Sequence, residues 1–310
     1  MVPLFAPEHV YAAVSPERAV DAVRDAFVAY ARGEWTMPPK VYVPAYPAGD
    51  FRAMPALGSG HALLKWVTSF PGNPAKGIPT VMGVVLVSSA ENGRLVAVLD
   101  AGAVTAVRTG AAAVLAAETL GRKDAETAAV VGAGVNGEAT ARTFTARGRT
   151  PLVWDVDEAR ARAVADRVGG RLATRDEALA ADLLATVTPG REVLLRAGSL
   201  RPGQHVSLMG ADGPGKAEIA VEELARGRVF CDDWEQASHG GELAAAVAAA
   251  RISRDDVAQI GDVLIGAAEG RHSPADITLF DSTGLALQDL AVALVALKSA
   301  DTLDLPQIPL

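Results

Sequence analysis

The sequence predicts an α/β protein of two domains, one of them built on a doubly wound parallel sheet, and three observations carry that expectation. The chain has 310 residues, half of them hydrophobic, enough to bury a large core and to divide into more than one domain. Aromatic residues make up only 5% while Ala, Val, Leu and Gly are abundant, which suits helices packed closely on a parallel sheet better than a β sandwich. From residue 127 onward, short apolar runs at 127–131, 151–155, 182–187 and 205–209 recur between segments long enough for helices or loops, the rhythm of a doubly wound sheet.

Taken in order, Ser15 and Pro16 read as the N-cap and first residue of a helix, Val20, Val23 and Phe27 follow at helical spacing, and Gly33 suits its end. From Lys40 to Asp100 the pattern turns to β. β-Branched residues cluster at 79–88 and 94–99 around Asn92-Gly93, a dipeptide that readily adopts the positive φ of a hairpin turn, so this half is expected to be an antiparallel sheet. An Ala-rich helical run from about Val104 to Leu120 ends at Gly121-Arg122-Lys123-Asp124, where a domain boundary is expected. The last helix, roughly 284–300, shares the Ala/Leu/Val character of that run and is expected to return to the first domain. The expected division is a discontinuous α+β domain of residues 1–121 and 280–310, and a doubly wound domain of residues 122–279.

Composition narrows the partners. A formal charge of −8 is spread along the chain with no Lys/Arg block, which argues against nucleic acid or an anionic membrane and for a small molecule. The single cysteine, Cys231, follows Val229 and Phe230 at an expected strand end and reads as a buried small hydrophobe. No basic region precedes an apolar run at the N-terminus, and charges such as Asp100, Arg108 and Asp289 interrupt the apolar stretches, so the protein is expected to be soluble and cytoplasmic. His9, His61, His205, His239 and His272 are scattered without metal-ligand spacing, and no metal is expected. Ser282 lies outside any nucleophile-elbow pattern.

The most specific local signal follows the apolar run Thr127–Val131. Gly132-Ala133-Gly134-Val135-Asn136-Gly137 comes at once and leads into a helical stretch through Phe144, the strand, GxGxxG and helix of a Rossmann-type dinucleotide site. Gly132 would allow the tight turn, Gly134 close approach of backbone to a pyrophosphate, and Gly137 close packing of helix on strand. The next expected strand, Leu152-Val153-Trp154, ends in Asp155, where a carboxylate accepts from ribose hydroxyls and repels a 2′-phosphate. Asp157 is the alternative acidic partner, and both residues could instead be N-caps for a helix starting near Glu158.

Several further segments resemble the ornithine cyclodeaminase and mu-crystallin superfamily, and archaeal-type alanine dehydrogenases most of all. They are Pro38-Pro39-Lys40-Val41, Phe51-Arg52-Ala53-Met54-Pro55, Leu64-Lys65-Trp66-Val67, Gly77–Met82, Ala106–Ala112, Gly210-Ala211-Asp212-Gly213-Pro214-Gly215-Lys216 and Phe280–Ala286, in the same order as in that family. The resemblance implies a Rossmann NAD-binding domain, a second domain for substrate binding and homodimer formation, and NAD as cofactor. It assigns Lys40, Arg52, Lys65 and Arg108 to a substrate carboxylate, and Asp212 with Lys65 to catalysis. Thr188, Ser282, Thr283 and Gly284 join Gly132–Gly137 and Asp155 on the cofactor.

The residue types suit those roles. Lys40, Arg52, Lys65 and Arg108 are cations within apolar or β-rich segments, and a converging set would hold a carboxylate through charge-assisted hydrogen bonds. The bland alternative for each is a snorkelling surface side chain. Asp212 follows the expected strand His205–Met209, at the ligand edge of an open α/β sheet, where it could take a proton from an amino group or an attacking water. A turn aspartate before Gly213-Pro214 is its alternative. Asp281 could cap the helix after Thr283 or border the nicotinamide.

The resulting expectation is hydride transfer at Cα of a small α-amino or α-imino acid, as in an alanine dehydrogenase or imine reductase. Ornithine cyclodeaminase is the alternative within the family. Members of that type place a carboxylate for the ω-amine where Arg52 stands here, so Arg52 argues against a diamine. A mu-crystallin-like binding protein is a third reading, against which the enzyme-like context of Asp212 and Asp281 counts.

Overall fold

The computed structural model describes every residue except Pro214 and Leu310, and the chain divides into two units, Met1–Arg108 with Leu285–Leu310, and Thr109–Gly284. The first unit opens with strand β1 (Val2–Phe5) and helices α1 (Pro7–Ala13) and α2 (Pro16–Ala31). α2 starts where the sequence places it, because the Ser15 hydroxyl accepts from the Arg18 amide at 3.4 Å and Pro16 begins a helix without losing a bonded donor. Val20, Val23, Ala26 and Phe27 form its buried stripe.

Strands β2 (Val41–Ala45), β3 (Gly49–Gly58), β4 (His61–Ser69), β5 (Val81–Ser89) and β6 (Leu95–Asp100) follow as an antiparallel meander. Gly93 takes φ +76° in the last turn. Residues 40–100 form the expected antiparallel sheet, which β1, outside that stretch, extends by joining β6 in parallel. Four residues are too few to show a period, so β1 left no sequence signal. Along β4 burial alternates, with Leu63, Lys65 and Val67 buried and Leu64 and Trp66 exposed, so the sheet has one covered and one open face.

Helix α3 (Ala101–Leu120) comes next. It has the length and apolar character of a membrane span, but 83% of its apolar window is buried inside the protein, as in a core helix. The division between the units falls within α3 at Arg108/Thr109, not at the expected 121/122. Packing explains this: a Cβ on Gly110 would come within 2.7 Å of the Ala139 backbone, so the later half of the helix belongs to the core of the second unit.

The second unit continues through β7 (Ala128–Val131), α4 (Val135–Ala146), β8 (Leu152–Trp154), α5 (Glu158–Val168), β9 (Arg171–Leu172), α6 (Arg175–Leu179), β10 (Leu183–Thr186) and β11 (His205–Leu208). It ends with α7 (Val221–Leu224), β12 (Arg228–Cys231), α8 (Trp234–Gly240), α9 (Leu243–Ala248), β13 (Val257–Gln259), α10 (Ile260–Leu264) and β14 (Thr278–Asp281). The strands form one parallel sheet in the order β13-β12-β14-β11-β10-β7-β8-β9. Strand order reverses at β7 and β10, which makes the carboxyl ends of that pair a topological switch point. β14 lies between β11 and β12, so the second boundary falls at 284/285 rather than the expected 279/280. Cys231 closes β12, buried, and burial pushes its thiol up.

Helix α11 (Ala286–Leu297) and strand β15 (Gln307–Ile308) return to the first unit. α11 packs on α2, β3 and β4, and β15 pairs antiparallel with β1. Nearly every residue of α11 is buried, the pattern of a helix apolar on all sides.

Candidate active site

In the first unit three of the expected cations converge. Lys65 on β4 is 1% exposed, and its Nζ donates to Thr105 Oγ1 at 2.6 Å and to Asp289 Oδ1 at 2.8 Å. Thr105 and Arg108 lie three residues apart on α3, so they share a face. Arg108 Nη1 donates to Gln288 Oε1 at 3.2 Å, and its Nε stands 3.6 Å from Asp289 Oδ1. Burial pushes the Lys65 ammonium down to about 8; Asp289 opposes this, and the charges of Arg108 and Arg52 add to it. Arg52, on the same covered face of β3, is held by Asp50 through Nε to Oδ1 at 2.7 Å and Nη2 to Oδ2 at 3.3 Å, with its Cζ 5.3 Å from the Tyr42 ring centroid. Lys40 lies half-buried just before β2.

Three buried polar atoms in this cluster lack a hydrogen-bond partner: Arg108 Nε, Gln288 Nε2 and Asp289 Oδ2. Such orphans are costly unless something polar completes them. Two donors and one carboxylate oxygen are what the two ends of an amino acid would satisfy. Asp289 and Gln288 were not among the expected site residues, although a carboxylate at the start of an otherwise apolar helix is a signal that it has a buried partner.

In the second unit the expected cofactor residues lie at the carboxyl ends of the parallel strands. Gly132 has φ +106°, and a Cβ there would meet the Val187 carbonyl oxygen at 2.5 Å; a Cβ on Gly137 would meet the Gly132 oxygen at 1.8 Å. Gly134 has open space beside it and is the N-cap of α4 with no side-chain cap, followed by exposed Val135 and half-buried Asn136. That is a cradle fit for a pyrophosphate at a helix N-terminus. The Ala133 amide is not offered to a ligand, since it donates to Asp155 Oδ2 at 2.6 Å. Asp155 Oδ1 accepts from the Asp157 amide at 2.9 Å, which leaves each carboxylate oxygen a further acceptor site for ribose hydroxyls. Asp157 is the N-cap of α5, its side chain accepting from Arg160 N.

Buried carboxylates absent from the expected set fasten the other loops. Glu218 accepts from Thr186 Oγ1, from the Thr188 amide and hydroxyl, and from the Gly210 amide, at 2.6–2.9 Å. It thereby joins the turn after β10 to the turn after β11. Burial raises its carboxyl, and the four donors oppose that shift. Asp232 accepts from the Thr283 and Gly284 amides at 2.8 and 2.9 Å and from the Ser282 hydroxyl at 3.1 Å. Asp281 neither caps the helix after Thr283, where Leu285 is the N-cap, nor stands exposed; it accepts from the Leu243 amide at 2.9 Å, and burial pushes it up to about 8.

Asp212 lies past β11, about one-third exposed and ion-paired with Lys216 in its own loop; Pro214 of that loop lies outside the described residues. Among the described residues no group of three His, Cys, Asp or Glu could hold a metal ion. The first unit holds a largely buried cationic cluster with unsatisfied polar atoms, and the second holds a glycine cradle at a topological switch point.

A parallel sheet with a glycine cradle at its switch point in one unit, and a cationic cluster with unsatisfied polar atoms in the other, are the features of a nicotinamide-dependent class of protein. The chain belongs to the ornithine cyclodeaminase/mu-crystallin family, whose model matches residues 6–302. It is 43% identical to an alanine dehydrogenase of Archaeoglobus fulgidus over 94% of this chain and 93% of that one. Among solved structures it matches an archaeal alanine dehydrogenase dimer with bound NAD, with a TM-score of 0.90, 41% identity, and coverage of 97% and 96% of the two chains. It also matches the iminosuccinate reductase of Paracoccus denitrificans in complex with NAD+, with a TM-score of 0.87, 26% identity, and coverage of 97% of each chain.

The geometry at Asp155 generates a prediction. A 2′-phosphate beside this carboxylate meets like charge, so NADH should bind at least about tenfold more tightly than NADPH. Asp155→Ser should weaken both cofactors, because the Ala133 amide also loses its acceptor. Fluorescence titration with the two reduced cofactors reads this, and equal affinities in the unmodified protein would remove Asp155 from the ribose.

Proposed function

We propose that the protein is an NAD-dependent oxidoreductase that transfers hydride at Cα of a small α-amino or α-imino acid, as an alanine dehydrogenase or imine reductase does. The observation that carries this reading is the cluster of buried Arg52 and Lys65 with part-buried Arg108, and the orphaned polar atoms at Arg108, Gln288 and Asp289. The cations hold the substrate carboxylate, Lys65 and Arg108 most directly. Gly132, Gly134, Val135, Asn136 and Gly137 cradle the pyrophosphate, Asp155 takes the adenosine ribose, and Thr188 with Ser282, Thr283 and Gly284 borders the rest of the cofactor. When bound, NAD supplies the acceptor or donor of the hydride. Asp212 takes a proton from the amino group, or from the water that attacks the imine, and returns it in the reverse direction. In the oxidative direction one amino acid, one NAD+ and one water give one oxo acid, one ammonium ion, one NADH and one proton.

Cyclodeaminase chemistry is the second reading. Arg52 carries less weight against it than the sequence suggests, because Asp50 already matches its charge. Absorbance at the reduced-nicotinamide band during incubation with amino acids and NAD, or oxo acids with ammonia and NADH, separates the readings from an ornithine assay that looks for proline. Asp212→Asn should keep NADH binding and lower kcat by about 10²-fold or more, the scale of a lost general base. Turnover at the parent rate would exclude Asp212 from proton transfer.

We infer also a cytoplasmic homodimer, formed through the open face of the first unit's sheet. Phe51 stacks on Trp66 at 5.6 Å, and exposed Val41, Val43, Leu57, Leu64 and Met82 accompany them. So many exposed apolar side chains on one sheet mark an interaction surface. Sedimentation should show a dimer that Trp66→Glu converts to monomer. A parent protein that sediments as a monomer, or a variant that stays dimeric, contradicts this surface.

A further inference from the structure

Strand β8 ends at Trp154, and the chain turns through Asp155, Val156 and Asp157 into α5. Asp155 is buried, and its two oxygens accept from the Ala133 and Asp157 amides. Arg160 is the third residue of α5 after the Asp157 cap, and its amide donates to Asp157 Oδ1 at 3.1 Å. The positive end of the helix dipole disfavours a cation at that position, yet the guanidinium leans back over the cap. Nη2 donates to Asp157 Oδ2 at 3.3 Å, and Nη1 stands 3.9 Å from Asp155 Oδ1, an ion-pair distance without a hydrogen bond. Among the described residues, Nη1 and Nε of Arg160 have no hydrogen-bond acceptor. The side chain is 54% exposed, so these donors face solvent and any anion that arrives from it.

We propose that Arg160 is a second residue of cofactor selectivity: it faces the adenosine 2′ position with a positive charge, so that the choice between NAD and NADP is a balance of Asp155 against Arg160. The proposal rests on the reading above that Asp155 takes the adenosine ribose. An oxygen that hydrogen-bonds to Asp155 Oδ1 lies about 2.7 Å from it, and so no more than roughly 7 Å from Arg160 Nη1. A phosphate carried on that oxygen meets two opposed fields. Asp155 repels it, whereas Arg160 and the positive end of α5 attract it. An arginine beside the ribose is how Rossmann domains accommodate a 2′-phosphate, and here one already stands next to the acid that selects the free hydroxyl. Its exposure weakens the attraction through solvent screening, so the buried carboxylate dominates in the unmodified protein. Asp157 holds Arg160 in this position through its second oxygen while capping α5 with the first.

The test is fluorescence titration of NADH and NADPH into the full chain, which needs no turnover. Arg160→Gln should weaken NADPH at least about threefold more than NADH, the scale of one exposed charge pair. Arg160→Lys keeps the charge and should recover part of that difference. Asp155→Ser should move the preference at least about tenfold toward NADPH, whatever both cofactors lose through the glycine loop. Adding Arg160→Gln to Asp155→Ser should take back about threefold of that shift. Affinities for the two cofactors that fall together in Arg160→Gln, or that both stay at the parent values, overturn the proposal, because a residue that only supports α5 treats both cofactors alike. If Asp155→Ser leaves the preference for NADH in place, the ribose reading of Asp155 fails instead, and the ratio of the two affinities in Arg160→Gln still decides whether Arg160 faces a 2′-phosphate. That single variant also decides the matter if Asp155→Ser does not fold.

Discussion

Lys65 and Asp289 form an ion pair at 2.8 Å with side-chain exposures of 1% and 0%, and the covered face of the first unit is arranged around it. Removing two charges from water costs several kcal/mol for each ion, and only close pairing with further hydrogen bonds offsets that cost. The pair therefore fixes the register of α11 against β4, residues more than two hundred positions apart in the chain. A shift of α11 by one turn would leave both charges buried and unmatched. Apolar side chains of similar volume would stabilise the fold about as well, so the pair is better explained by what it does to charge than by stability. It holds an ammonium in an apolar setting, beside Arg108, with polar atoms left over for a ligand.

The second unit follows a related logic with the opposite sign. Its ligand edge is held by carboxylates that accept backbone amides: Asp155 on the glycine loop, Glu218 between the turns after β10 and β11, and Asp232 on Ser282–Gly284. Each loop is fixed by hydrogen bonds already made before a ligand arrives, so binding orders little further backbone. The glycines do the complementary work of leaving room, most strictly at Gly137, where a side chain would collide with the Gly132 carbonyl.

Much of this was legible in the sequence where the signal is local. The N-cap of α2 at Ser15, the Asn92-Gly93 turn, the cap of α5 at Asp157 and the glycine loop each fit within a dozen residues. β1, β9, β13 and β14 are two to four residues long and, unlike the equally short β7 and β10, lie outside the recurring apolar runs, so the second unit extends past the expected boundary to take in β14. The division at Arg108/Thr109 falls inside α3, where no change of composition marks it. Lys65 and Arg108 could be singled out as cations in apolar surroundings, but Asp289, Asp50, Glu218 and Asp232 act through partners far away in sequence or fastened to backbone amides. Their signal is a carboxylate within an apolar or loop segment, which indicates a partner without naming it.

The central claim is that the charge of Lys65, supported by Asp289, holds a substrate carboxylate. Its most direct test is the pH dependence of propionate affinity for the NADH-loaded protein. With Lys65 held down to about 8 by burial, the ammonium is present below that pH and is lost as pH rises through it. Affinity should be steady at pH 6 to 7 and weaken as pH rises past about 8. Asp289→Asn removes the counter-ion that favours the charged form, so the break should move to lower pH. An affinity that stays constant from about pH 6 to 9, or a break that Asp289→Asn leaves in place, contradicts the account.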